Sequence, residues 1–374
     1  MMPDEKLKKN LKILIGVYEP LQYDGRAQRL AEIMSVYGEV ICFTNNYDGE
    51  HDDKTREYQV FSIKTIRKKG LFSYVSYNMK FLFFVIKQDA DIVISCNFFL
   101  ILSGFLSKFV FRKIWIYDAY ELLVKSNFKD YSLRDLFFYC TEKKLIKFSN
   151  LVVSANEERY RILKSINKLS KSTFILNIPN NKQVIGKEYL EGEFYIVYQG
   201  YISVERKLDF YIELLSYLPD FVKLFIIGDG PDMNNVIKCV DSFNVANRVK
   251  YFGRLNQNDL LKVTKECHLG IVSYNFSELN TIYCSPNKIF EYTQMGLPVI
   301  TTSQIFLASK VNKYCIGEIV SFEMNKEICI EKIRRIISNY KFYVRGLESF
   351  NSKYSFLKEK NRFLQYSNSV VYQS

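Results

Sequence analysis

Short apolar runs of four to six residues, each closed by glycine or a polar turn and followed by an amphipathic stretch, recur along this chain. In the first half, residues 11–17 read as a buried strand. A loop carrying Asp24-Gly25-Arg26 then leads into a helix that ends near Gly38. Further strands are expected at 40–44, 91–95, 114–117 and 151–154. In the second half the same rhythm predicts strands at 195–199, 223–227, 249–252, 269–273 and 299–301. Fully apolar runs separated by helices indicate parallel sheets covered on both faces. Residues 177–192, with Pro179, paired asparagines and Gly186, carry little periodic signal and mark the boundary. The expected organisation is a first doubly wound domain over 1–185 and a second over 186–347. A terminal segment, 348–374, follows, whose amphipathic helix over 348–366 crosses back to the first domain. Two such domains facing each other leave a cleft at the carboxyl ends of both sheets.

The chain has 374 residues, enough for two cores. With 48% hydrophobic residues it is not globally disordered. Histidine occurs only twice, at His51 and His268, which argues against a mechanism built on several imidazoles. Eight cysteines stand singly without a C-x-x-C pair, so a zinc ribbon or thioredoxin-like motif is not expected, and free thiols suit a reducing cytoplasm. The polar amino terminus does not read as a signal peptide. An apolar uncharged stretch, residues 92–107, is sixteen residues, short of the roughly 20 needed to span a bilayer.

The net charge of +12 is unevenly placed. The stretch opening at Tyr58 and closing at Gln88 holds Lys64, Arg67, Lys68, Lys69, Lys80 and Lys87 and no acid, interleaved with phenylalanine and tyrosine. Such a stretch suits anionic lipid headgroups. It equally suits an amphipathic helix packed on its own domain with a solvated basic face, and less well a nucleic acid.

The densest chemistry lies in Ser285-Pro286-Asn287-Lys288-Ile289-Phe290-Glu291-Tyr292, ahead of Gly296-Leu297-Pro298. Donors gathered at a helix N-terminus suit an anionic ligand. Glu291 lies too far into the helix for that anion and is read as an acceptor from hydroxyls. Gly200, after its strand, permits close backbone approach. Arg206 and Lys207 follow at a helix start, where cations oppose the helix dipole, and are read as a diphosphate grip. Gly228-Asp229-Gly230-Pro231 is half of a nucleotide loop or a plain tight turn. Phe252-Gly253-Arg254 ends a strand where a planar base fits. Residues 274–284 form a polar loop of functional length. Asp89-Ala90-Asp91 is read as a helix-to-strand turn, not a metal pair.

Taken in order, these pieces resemble the retaining glycosyltransferases of the group 1 type (family 4), whose GT-B fold pairs two Rossmann-like domains across a cleft. The resemblance covers nearly the whole chain and is strongest over residues 198–302. Tyr117-Asp118-Ala119-Tyr120-Glu121-Leu122 is similar to the family's Asp-Ala-His-Glu segment, and Glu142 and Asn177-Ile178-Pro179 also fit its layout. The resemblance implies that Glu291 binds the ribose hydroxyls of a nucleotide-sugar. Arg206 and Lys207 hold its diphosphate, with Gly200, Gly228, Gly230, Pro286, Asn287 and Lys288 around it. Phe252, Gly253 and Arg254 lie near the base, Tyr274, Asn275 and Asn280 near the donor sugar, and Gly25 approaches the diphosphate from the first domain. Asp118, Tyr120 and Glu121 are then candidates for the acceptor or reaction centre. Retention by front-face displacement, without metal or other cofactor, follows from the same resemblance. So does a glycan or lipid-linked acceptor at the cytoplasmic membrane face, in surface polysaccharide synthesis.

Two positions depart from the family pattern: Tyr283 stands where an acid is expected, and Tyr120 where a histidine is expected. Both bear on the identity of the sugar. They leave open a nucleotide-sugar epimerase or phosphorylase of the same fold, and a non-catalytic partner subunit. A nicotinamide enzyme is disfavoured, because no G-x-G-x-x-G follows the first strand.

Overall fold

The computed structural model describes residues 10–46, 56–64, 71–123, 133–181 and 183–372. Contacts divide the chain into two compact units, Met1–Asn177 with Glu359–Ser374, and Ile178–Lys358. The first boundary therefore falls at 177/178 and not at 185/186. Residues 178–185 belong to the second unit because Gln294 Nε2 donates to the Pro179 carbonyl at 2.9 Å and Val184 N–H to the Gln294 carbonyl at 2.8 Å.

The first unit holds strands β1 (Leu11–Gly16), β2 (Gly38–Asn45), β3 (Gln59–Ile63), β4 (Ile92–Cys96), β5 (Ile114–Ala119), β6 (Leu151–Ser154) and β7 (Ser172–Phe174). They form one parallel sheet in the order β3-β2-β1-β4-β5-β6-β7. Its helices are α1 (Gly25–Met34), α2 (Leu71–Gln88), α3 (Ile101–Phe109), α4 (Leu133–Leu145) and α5 (Glu157–Asn167). Strand order reverses between β1 and β4, the point where such sheets open a crevice at their carboxyl edge. The apolar runs of β1 and β4 are buried on both faces, as a covered parallel sheet requires. Trp115 in β5 is fully buried and satisfies its indole N–H on Ser95 Oγ at 2.8 Å.

In the second unit, β8 (Phe194–Gln199), β9 (Val222–Ile227), β10 (Val249–Gly253), β11 (Leu269–Val272), β12 (Val299–Thr301) and β13 (Gly317–Ile319) form a second parallel sheet, ordered β10-β9-β8-β11-β12-β13. Its helices are α6 (Leu208–Ser216), α7 (Met233–Ser242), α8 (Gln257–Glu266), α9 (Leu279–Ile282), α10 (Asn287–Gln294), α11 (Ile305–Tyr314), α12 (Lys326–Ser338) and α13 (Tyr340–Lys353). The order reverses between β8 and β11. Side chains of Asp24, Asn156, Asn256 and Asn325 accept backbone N–H groups at the starts of α1, α5, α8 and α12, caps worth about 1 kcal/mol each.

The single terminal helix expected over 348–366 is two helices, α13 and α14 (Phe356–Val371), broken at Tyr354 and Ser355. From Glu359 onward the chain belongs to the first unit. There the Glu359 carboxylate accepts from Leu176 N–H at 2.5 Å, and the Arg362 guanidinium lies 3.9 Å over the Phe174 ring. Tyr37 hydroxyl pairs with Ser367 Oγ at 2.7 Å and donates to Asn368 Oδ1 at 2.6 Å. The predicted turn at residues 89–91 is present: Asp89, at φ 49°, closes α2 and pairs with Lys113 at 2.7 Å, while Asp91 accepts from Lys12 N–H at 2.9 Å. His51 and the basic residues Arg67, Lys68 and Lys69 lie outside the described residues.

Candidate functional site

The second unit gathers its chemistry at the carboxyl end of β8. The strand ends on Gln199, and Gly200 at φ 140° turns the chain away from the sheet. A 3-10 turn, Val204–Arg206, and a left-handed Lys207 then deliver the chain into α6. Arg206 is held from two sides. Its guanidinium stacks 3.9 Å over the Tyr274 ring, and its backbone carbonyl accepts from Ser273 Oγ at 2.6 Å. Burial pushes the Tyr274 phenol up to about 12, against the pull of Arg206, so the ring beneath the guanidinium stays neutral. Among the described residues the Lys207 side chain has no hydrogen bond or ion pair, which leaves its ammonium available to an anion.

The helix predicted after Ser285 is α10. Buried Pro286 stands at its N-cap without a side-chain cap, so the first backbone N–H groups of the helix receive no bond from the capping residue. One turn in, Glu291 Oε2 accepts from Lys288 Nζ at 2.8 Å and from Gln199 Nε2 at 2.6 Å. Gln199 is fixed in turn, because Thr264 Oγ1 donates to its Oε1 at 3.0 Å and its own N–H donates to Tyr292 hydroxyl at 3.0 Å. This network sets the carboxylate's orientation before any ligand arrives. Lys288 is therefore first a partner of Glu291, and Arg206 and Lys207 are the cations directed elsewhere. Lys288 still borders the Gly200 turn: a Cβ on Gly200 would lie 3.8 Å from Lys288 Cε. α10 sits low on the sheet because Gly270 in β11 has no side chain, and a Cβ there would meet the Tyr292 ring at 2.3 Å.

The glycines of the Gly228-Asp229-Gly230 loop let two loops pack together. A Cβ on Gly228 would lie 1.9 Å from the Gly200 carbonyl oxygen, and one on Gly230 2.0 Å from the Ile202 carbonyl oxygen. The two loops are packed backbone to backbone, with Ile202 N–H donating to the Asp229 carbonyl at 3.1 Å and Gly228 N–H to the Gly253 carbonyl at 2.8 Å. They thus fix Gly200 and Gly253 in one assembly. Phe252 meets Phe225 edge-on at 5.1 Å and carries Lys250 over its ring at 4.8 Å. Arg254 and Asp229, both exposed, pair at 3.7 Å.

The loop over 274–284 is anchored from beneath. Tyr274 N–H donates to Thr302 Oγ1 at 3.0 Å, and fully buried Gln304 donates to the carbonyls of Tyr274 at 2.8 Å and Asn275 at 3.2 Å. The sequence suggested an irregular loop, but it contains the short helix α9, which carries Asn280 and is opened by Glu278 in a reciprocal cap with Thr281. Tyr283 is the residue that ends it. Gln199, Thr264, Ser273, Thr302 and Gln304 were not singled out by motif. For all but Thr264 the one signal is a polar residue at or next to the end of an apolar run. His268 plays a structural part: its Nδ1 accepts from Tyr195 N–H at 3.0 Å, and burial lowers its pKa to about 4.

The first unit arranges its candidates differently. Asp118 is fully buried at the end of β5 and forms a forked ion pair with Arg26, with contacts of 2.6 and 3.0 Å. The same guanidinium donates to the carbonyls of Ile175 at 2.9 Å and Ser154 at 3.2 Å, tying α1 to three strand ends. Asp118 is thus engaged as an internal brace by the chain itself. Gly25 is the first residue of α1, behind the Asp24 cap. Asp24 also accepts from Tyr120 hydroxyl at 2.9 Å, while the Tyr120 carbonyl accepts from Arg159 at 2.6 Å. Tyr120 is half-buried and Glu121 exposed. Beneath them, Tyr117 hydroxyl donates to Glu142, whose carboxyl is pushed up to about 8 by burial despite that bond.

A two-domain protein with this donor-like corner in its second half falls in the GT-B class of folds. Residues 180–346 match the model of the family described as glycosyl transferases group 1, and the match lies wholly within the second unit. No curated protein matches the chain by sequence. Among solved structures, sucrose-phosphate synthase from Thermosynechococcus elongatus superposes with a TM-score of 0.73 at 14% identity, covering 97% of this chain and 100% of that one. The Anabaena protein HepE in complex with UDP gives 0.71 at 13%, covering 96% and 100%. A putative UDP-N-acetylglucosamine 2-epimerase from Listeria monocytogenes gives 0.67 at 12%, covering 98% of each chain. These likenesses establish the fold over nearly the whole chain and support the group 1 glycosyltransferase family for its second half.

Proposed function

We propose that the protein is a retaining glycosyltransferase that moves a sugar from a nucleoside-diphosphate sugar to a glycan or lipid-linked acceptor at the cytoplasmic membrane face, in surface polysaccharide synthesis. The observation that carries this reading is the carboxyl end of β8, where Lys288 borders Gly200 and pairs with Glu291, and where the Tyr274 ring lies under Arg206 and feels the Glu291 charge. Glu291, held by Gln199 and Lys288, accepts from the ribose hydroxyls. Arg206 and Lys207 take the diphosphate, and the uncapped start of α10 offers it backbone N–H groups. When the bond from the sugar carbon to the β-phosphate oxygen breaks, negative charge grows on that phosphate, and these fixed donors stabilise it. The acceptor oxygen forms the new bond on the same face, and its proton passes to the departing phosphate. This reading requires no metal or other cofactor. The loop over 274–284 contributes Tyr274, Asn275 and Asn280 toward the sugar.

The test is a thermal-shift screen across UDP-, GDP-, dTDP-, ADP- and CMP-sugars, followed by Glu291→Ala. One donor should raise Tm in the native protein. The variant should keep its unliganded Tm, lose that shift and lose transfer. If no donor stabilises the protein, or if the variant turns over like the native enzyme, the reading fails. Release of free nucleotide with an epimerised sugar from donor alone would favour the epimerase.

A further inference from the structure

In the first unit α2 presents to solvent the kind of surface that helices usually bury. Phe72 is 86% exposed, Phe83 69%, Met79 55%, Ile86 47% and Val75 43%. At about 100° per residue these five positions fall within an arc of about 80° and form one continuous ridge. The opposite side of the helix is the ordinary buried one, with Tyr74, Tyr77, Phe81 and Val85 in the core. Scattered exposed apolar residues need no explanation, but five aligned on one helix do.

The charges say what covers the ridge. By the same angular count Lys80 and Lys87 lie along one flank, both are exposed, and neither forms an ion pair among the described residues. The sequence adds Lys64, Arg67, Lys68 and Lys69 just ahead of the helix and no acid between Tyr58 and Gln88. A protein partner with a matching apolar groove would not require uncompensated cations beside it. A sheet of anionic headgroups above acyl chains would. No helix among the described residues is long and apolar enough to cross a membrane, so α2 would lie in the interface plane and not span it.

We infer that α2 is a membrane-docking element: the ridge from Phe72 to Ile86 enters the headgroup and acyl boundary of an anionic bilayer, with Lys80 and Lys87 on the phosphates. The inference rests on the membrane-face part of the proposed function and not on its sugar chemistry, so binding is read apart from turnover.

The experiment is co-sedimentation of the full chain with phosphatidylcholine vesicles containing phosphatidylglycerol and with phosphatidylcholine vesicles alone. The native protein should pellet with the first and far less with the second. The double variant Phe72→Ser/Phe83→Ser, altering exposed side chains, should keep its Tm and lose about tenfold or more in partitioning. Lys80→Glu/Lys87→Glu should lose about tenfold at low salt, with the difference shrinking as salt rises. Native protein left in the supernatant with both vesicles overturns the inference, as does unchanged binding by the phenylalanine variant. A native dimer that this variant converts to monomer also overturns it, since the ridge would then be covered by a second copy.

Discussion

Each sheet ends in a cluster of charged side chains at its carboxyl edge, beside the point where strand order reverses, yet the two clusters are built to opposite ends. In the first unit Arg26 and Asp118 are 8% and 0% exposed and neutralise each other, and two further guanidinium N–H groups meet backbone carbonyls. In the second unit Lys288 and Glu291 are 26% and 18% exposed, and among the described residues Arg206 and Lys207 have no buried acid to answer them. An internally satisfied cluster holds strands and a helix together. A cluster with cations in excess, propped from below by Tyr274 and Gln199, carries positive charge that an anion would complement. Charge at a switch point is therefore not by itself a sign of chemistry; what separates the two is whether the partners are already inside the protein.

The largest expected effect sharpens that contrast. Asp118→Ala leaves the Arg26 guanidinium buried without its counter-charge and should destabilise the protein by about 3–5 kcal/mol. Urea denaturation would show this as a lower midpoint. The double variant Arg26→Met/Asp118→Leu should recover much of the loss, because neither charge is then buried. If Asp118→Ala unfolds like the native protein but loses turnover, the first cluster is a reaction site and the contrast collapses.

Arg206→Ala should behave in the opposite way. Its stacking on Tyr274 is worth about 1 kcal/mol, so Tm should move little. The rate constant kcat/KM should fall about a hundred- to a thousand-fold, the range for losing one preorganised donor at a developing charge. Steady-state kinetics on the stabilising donor would measure it. A large loss of stability with little loss of rate would make Arg206 a brace like Arg26.

The sequence-derived strands agree with the structure wherever a strand is buried on both faces. The runs at 151–154 and 299–301 match β6 and β12 residue for residue, and the others differ by one or two. The three missed strands, β3, β7 and β13, are edge strands or short ones. In β3 the first four residues are exposed, so no continuous apolar run marks it. The site divides in the same way. Arg206 and Lys207 were singled out because cations at a helix start oppose its dipole, and Lys288 and Glu291 because they fall in the densest motif of the chain. Gln199, Thr264 and Gln304 were not, because a buried amide or hydroxyl acquires its meaning only from a partner distant in sequence. The pairing of Asp118 with Arg26 was likewise not visible, because its counter-charge lies 92 residues away.

A second pair of acids extends the comparison to pH. Glu291 is held by Lys288 and Gln199, whereas Glu142 is buried against the Tyr117 hydroxyl, and the nearby Glu121 carboxylate pushes it further up. Burial raises the Glu142 carboxyl from 4.5 to about 8, so the folded protein keeps a proton there that the unfolded chain releases. The stabilisation is fully present below about pH 4.5 and is lost as pH rises through about 8, because the folded state binds more protons in that window. Glu142→Gln removes the titration and retains an acceptor for Tyr117. The Tm of the variant minus that of the native protein should therefore grow from pH 5 to pH 9, in favour of the variant at the alkaline end. Thermal denaturation of both proteins across that range measures the difference directly. A difference that does not change with pH would mean that Glu142 is ionised in the fold across that range.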